Sequence, residues 1–281
     1  MKRCLFIFLS IPLVFSSFAQ DNTKSGESSI SLNFSGVPVV NITGTDTSYQ
    51  NALSISPVFD LRSKSGWGIT YSPSLVTSGQ KTGIYVHSLS AGYERYGKKN
   101  FDIAFNYTRY IFTDKTSVPY SPINNEIYFS LAFTKPWLKP FFATSIGFGK
   151  DSANVAEHDI GLAAGISHGF SWEDKGIFSL IELTPSLSLN GGTNDFFSLL
   201  TVSRYISHSH NFAKYVKRGG KGKRANTPVS FELSNFELNM ETNFEIGSFS
   251  IHPSGSVFLP VSSGTDNSVY GYAQISVQYH F

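Results

Sequence analysis

The chain has 281 residues and nearly balanced charge, with 22 Lys and Arg against 20 Asp and Glu, and a single cysteine, Cys4. Charged residues make up only 15% and aromatic residues another 15%, whereas a water-soluble domain usually carries nearer a quarter charged residues. One thiol excludes a disulfide framework, and nothing in the overall charge suggests a nucleic-acid partner.

The amino terminus, Met1-Lys2-Arg3-Cys4, is short and basic. Leu5 to Phe15 follows as an apolar run broken only by Ser10 and Pro12, and Ser16-Ser17-Phe18-Ala19 puts small residues where a signal peptidase cuts. This predicts a secretory signal peptide over 1–19, too short to cross a bilayer as a helix. Cleavage after Ala19 removes Cys4, so the exported chain is held by burial and backbone hydrogen bonds alone. It also removes Lys2 and Arg3, which account for the formal charge of +2.

From residue 20 onward no apolar stretch nears the roughly 18 residues of a membrane helix. Residues 52–61, 67–75, 126–133, 159–167, 181–189 and 248–259 instead alternate apolar with small or polar side chains. In the first of these, Leu53, Ile55, Phe59 and Leu61 share one face, and Ser54, Ser56 and Asp60 the other. A period of two predicts strands, and many approach the ~10 residues of a tilted membrane-spanning strand. The second face is mostly Ser, Thr, Gly and Ala, too sparse in charge for a water-facing surface and suited to an enclosed lumen. Pro57, Pro73, Pro185 and Pro253 fall on the apolar face, where each removes a ladder donor, and they are expected to mark bulges.

Short connections are expected at 62–66, 97–100, 135–139, 173–176 and 243–247. Longer ones are expected at 77–82, 113–122, 150–156, 189–195 and 261–268. Alternating short and long connections are what a barrel with both termini on one side requires. A turn at 207–211, a strand at 212–217 and a basic loop at 218–227 bring the total to about fourteen strands, the preferred count. A single loop over 207–227, with the segment before Tyr49 as a tail, leaves twelve.

Asp102, Glu126, Glu182, Glu237 and Glu241 fall on the inner, lumen-facing side of this pattern, where a charge escapes the cost of facing lipid. Arg109 breaks it by sharing parity with Phe105 and Tyr107, which suits snorkelling at the interface or a bulge. The densest charge is Lys214, Lys217, Arg218, Lys221, Lys223 and Arg224, interrupted by three glycines. An exposed loop of this kind suits lipopolysaccharide phosphates or anionic solutes, and a merely solvated loop is the plainer alternative. His87-Ser88-Leu89-Ser90 and Ser207-His208-Ser209-His210 place each His an odd number of residues from its Ser, on opposite strand faces, so neither forms a nucleophile pair. Glu157, His158 and Asp159 are consecutive strand residues and cannot converge on one metal. No catalytic residue, metal site or cofactor is expected.

The clearest alternation closes the chain. Val269, Gly271, Ala273, Ile275, Val277, Tyr279 and Phe281 are apolar, while Tyr270, Tyr272, Gln274, Ser276, Gln278 and His280 are polar or amphipathic. The segment Ile275-Ser-Val-Gln-Tyr-His-Phe281 resembles the last strand of Gram-negative outer-membrane β-barrel proteins of porin-like type, which ends on an aromatic residue. The resemblance implies an all-β, antiparallel transmembrane β-barrel, a single domain over 20–281, with 20–49 as a tail or first strand. It implies an outer-membrane location, with lipid and lipopolysaccharide as surroundings. Ile275, Val277, Tyr279 and Phe281 would then be read by the barrel-assembly machinery. A monomeric channel or binding barrel for small solutes is the expected function. A structural or adhesion barrel and, with less weight, a lipid-acting barrel enzyme stay open.

Overall fold

The computed structural model describes residues 28–43, 46–78, 81–96, 100–113, 123–150, 156–193, 231–261 and 270–280. The segment 1–19, the basic residues Lys214 to Arg224, the region 207–227 and Phe281 lie outside them. The first strands are β1 (Ser29–Thr43), β2 (Asp46–Arg62), β3 (Trp67–Ser78), β4 (Lys81–Arg95), β5 (Phe101–Phe112) and β6 (Ile123–Phe133). Next come β7 (Lys139–Lys150), β8 (Ala156–Ser167), β9 (Phe170–Lys175) and β10 (Phe178–Thr193). The last are β11 (Phe231–Ile246), β12 (Phe249–Pro260) and β13 (Tyr270–His280).

All pairings are antiparallel between neighbours, and the order closes on itself. Strand β10 pairs with β8 over Ser186–Gly192 and with β9 over Leu183–Phe178, so β8 and β9 are one stave with a break at His168-Gly169. Its other edge pairs with β11 from Leu180 to Thr193, and β13 meets β1 from Ser29↔His280 to Ser35↔Gln274. Thirteen strands, two of them sharing a stave, therefore make a ring of twelve, the lower of the two expected counts. Because β10 and β11 bond directly to each other, no further stave fits between them. Strand β11 also runs on through 243–246, where a turn is expected from sequence; the reversal falls at Gly247-Ser248. A closed ring leaves no sheet edge for lipid to meet, which is the condition for a sheet to cross a bilayer.

The four strand prolines do not make bulges. Pro57 and Pro73 face each other, and the β2–β3 ladder lapses between Ile55↔Leu75 and Phe59↔Tyr71 with its register unchanged. The β11–β12 ladder lapses in the same way beside Pro253, between Glu241↔Ser254 and Phe244↔Ile251. Pro185 lies opposite the break between β8 and β9, where its carbonyl still accepts the His168 N–H at 3.1 Å. A missing N–H interrupts bonding without adding a residue. The register shifts leave Tyr85, Asn124 and Ser234 as extra residues; that at Tyr85 lies across from Ser74 and Leu75, next to Pro73, and the other two are remote from any of the four prolines.

Polarity is inverted relative to a soluble barrel. Leu53, Ile69, Ile111, Leu238 and Met240 are exposed outward, each 47–56% accessible, while Ser54, Ser56, Ser72, Ser74 and Ser145 are buried within. All three Trp (Trp67, Trp137 and Trp172) lie exposed at the short-turn rim, with Phe101, Phe133, Phe249 and Tyr279. Amphipathic rings collect at that depth where hydrocarbon gives way to water. The Ser63–Gly66 turn on this rim needs its glycine. Gly66 has φ of 100°, and its carbonyl accepts the Glu94 N–H at 2.9 Å.

Candidate functional site

The inner wall is assembled by strand parity: every second residue of each stave points inward. Along β2, β3 and β4 this places Ser54, Ser56, Ser72, Ser74, Ser88 and Ser90 side by side, with Ser56 donating to Ser74 at 2.9 Å. The hydroxyls of Ser72 and Ser88 meet no partner among the described residues. A wall of short hydroxyls is polar yet uncharged, and it presents both donors and acceptors to whatever fills the lumen.

Toward the short-turn rim this wall ends in an ion-pair cluster. Arg62 reaches Asp60 and Glu94 at 3.2 Å each, Thr70 donates to Asp60, and Asn106 donates to Glu94 at 2.8 Å. Four staves, β2 to β5, are thereby cross-linked. Asp60 falls on the polar face already read from sequence, but Arg62 and Glu94 do not stand out from sequence alone, because each sits at a strand end where parity is hard to fix.

The opposite wall is carboxylate-rich. Glu126 is 1% exposed and accepts from Tyr110 at 2.6 Å and from Ser145. Asp159, 2% exposed, accepts from Thr193 at 3.0 Å. Glu126 and Asp159 both pair with Gly147, which has no side chain to separate them. Glu237, 4% exposed, accepts from Asn190 at 2.9 Å and Ser256 at 2.8 Å. Each of these three carboxylates is thus bonded by hydroxyl or amide donors from neighbouring staves.

The remaining acids named from sequence are also on the inward parity, half-buried: Asp102 on β5, Glu182 on β10 and Glu241 on β11. Glu182 accepts from Asn243 at 3.1 Å. These five acids are thus spread around the ring and do not meet at one point. Arg109 points outward and donates to Asn124 and Asn125, at 3.1 and 2.8 Å. Asn124 is a bulge residue, so the Arg stands beside a bulge on the adjoining strand. His87 stacks outward on Tyr71, while Ser88 is buried inward. His158 is exposed outward and Asp159 points in. On β13, Ile275, Val277 and Tyr279 face outward, between 37% and 41% exposed.

A closed ring of twelve staves with an apolar exterior, an aromatic rim and a polar interior is a transmembrane β-barrel, of the kind built in bacterial outer membranes. No protein-family model matches the chain, and no curated protein sequence does. Among solved structures it is similar to the NanC porin, at 10% identity over 90% of this chain and 100% of that one, with a TM-score of 0.46. It is similar to the COG4313 outer membrane channel from Pseudomonas putida F1, at 7% identity, 94% and 100% coverage, and a TM-score of 0.47. The translocator domain of the autotransporter NalP from Neisseria meningitidis gives 11% identity, 93% and 90% coverage, and 0.46. The class of the protein rests on its own geometry.

Proposed function

We propose that the barrel is a passive outer-membrane channel for small polar solutes, with its long-loop rim outward and its short-turn rim in the periplasm. The observation that carries this is the inner wall, where serines and carboxylates line staves whose outer faces are apolar. A plugged structural barrel has no need of hydroxyls that meet no partner among the described residues, such as those of Ser72 and Ser88. The second reading, a barrel without transport, is favoured by the bulky inward Tyr85, Tyr110, Tyr128 and Phe258, all nearly fully buried. Purified protein in a planar bilayer distinguishes the two. Stepwise conductance is expected, and folded protein that inserts without current would sink the channel reading.

The outward row Ile275, Val277 and Tyr279, continued in sequence by Phe281, serves, in this proposal, as the face read by the barrel-assembly machinery. Deleting Phe281 leaves every described pair of β13 in place, since the β1–β13 and β12–β13 pairings begin at His280 and Tyr279. The truncated protein should therefore refold in detergent like the parent yet reach the membrane of cells at a small fraction of its level. Normal membrane levels would count against the row.

A further inference from the structure

Strand β11 carries a strict internal repeat on its inward face. Asn235, Glu237, Asn239, Glu241, Asn243 and Glu245 occupy six successive inward positions, carboxamide and carboxylate in turn. Phe236, Leu238, Met240, Phe244 and Ile246 face the other way. The column runs from the long-loop rim, where Asn235 lies level with Asn190 and Pro260, to the short-turn rim, where Glu245 lies level with Leu180 and Ser250. At ~3.4 Å per residue successive carboxylates are about 14 Å apart along the strand.

At Asn239 and Asn243 the amide donors are used and the acceptors are left over, whereas Asn235 at the long-loop end is turned the other way, accepting from Asn190 at 3.0 Å. Asn239 Nδ2 donates to Ser256 at 2.9 Å, and Ser256 in turn donates to Glu237 at 2.8 Å. Asn243 Nδ2 is shared between Glu182 and Glu245, at 3.1 Å each. Asn239 is only 8% exposed, yet its Oδ1 meets no donor among the described residues, and neither does that of Asn243. Buried oxygens oriented this way call for a positive partner or water. The flanking inward positions add more oxygen: Thr184, Ser186 and Ser188 on β10, and Ser250, Ser254 and Ser256 on β12, with His252 bonded to Ser250 at 2.8 Å. Among the described residues, the bases Lys and Arg on the inward parity include Arg62, held by Asp60 and Glu94 on another stave, and Lys139 and Lys175 at the short-turn rim.

We propose that the Asn/Glu column of β11 is a cation rail that makes this barrel selective for small hydrated cations. The inference rests on the channel reading and specifies what passes. Carboxylates spaced at about 14 Å are too far apart to hold one ion between them, so each is a separate site. Several shallow sites in series let a cation enter without being trapped, and fixed negative charge in a low-dielectric wall excludes anions.

The test is the reversal potential of the purified protein in a planar bilayer under a KCl gradient. Wild type should reverse on the potassium side. Replacing Glu237, Glu241 and Glu245 together with Gln keeps shape and bonding capacity and should reduce the potassium-to-chloride permeability ratio by about tenfold. Asn239→Asp, which adds a carboxylate to the same column, should shift the ratio the other way. Heat-modifiable migration on gels verifies that each variant is folded. A folded wild type that never conducts overturns the channel reading and the rail with it. A wild type that conducts with no preference or an anion preference, or one whose potential is unmoved by the triple change, overturns the rail alone.

Discussion

Leu238→Arg is expected to cost about 2–4 kcal/mol of folding stability in lipid vesicles, the loss characteristic of a basic side chain at the bilayer midplane. Leu238 sits halfway along β11, is 49% exposed, and pairs with Leu187 and Val257, whose side chains face outward with it. The same substitution on a water-facing surface would move stability by about 0.5 kcal/mol or less. Phe249→Arg supplies the control by depth. Phe249 belongs to the aromatic rim and is 55% exposed, and there the cost should fall to about 0–1 kcal/mol. Denaturant titration of the refolded proteins measures both. Equal costs at the two positions would remove the argument that the exterior faces hydrocarbon.

Gly92→Val is expected to abolish folding, leaving no heat-modifiable band. A Cβ on Gly92 would run into the Phe105 carbonyl and the Asn106 side chain on β5. Neither can yield cheaply. Asn106 is bonded to Glu94, which holds Arg62, and moving the Phe105 carbonyl opens the β4–β5 ladder. One added methyl in such a site costs about 1–3 kcal/mol, and the branched valine adds more. Gly169→Ala makes the comparison, since the nearest atom to its Cβ is Lys139 Nζ at 3.7 Å. That variant should fold normally. Folding of Gly92→Val at wild-type yield would show that β4 and β5 are not this close.

The staves were legible because a strand buried on one face and lipid-bathed on the other states its orientation at every residue, as Leu53 to Leu61 does. Glu126 and Glu237 could be assigned inward on that basis. What parity does not carry is which staves are neighbours in depth, so the pairing of Arg62 with Glu94, from strands more than thirty residues apart, has no local signal. The Asn/Glu column does have one, in residues 235–245. It is obscured because Asn243 and Gly247 are strong turn formers, and reading a turn at 243–247 cuts the repeat before its last two members. The prolines misled for a related reason. A lost N–H and an inserted residue both disturb a ladder, but only the second changes register, and Pro57 and Pro73 do the first while Tyr85 does the second.

The seam of the ring joins its first stave to its last, Ser29–Ser35 against Gln274–His280, through seven paired positions, while β1 and β2 share fifteen. Hairpins along the chain can form as soon as two neighbours exist, but this joint must wait for nearly the whole sequence to be present. Until then β1 and β13 are both bare edges, each a template for pairing with another chain. Sealing is thus the step with the longest sequence separation in the ring, and the one during which two strands stand open to foreign pairing.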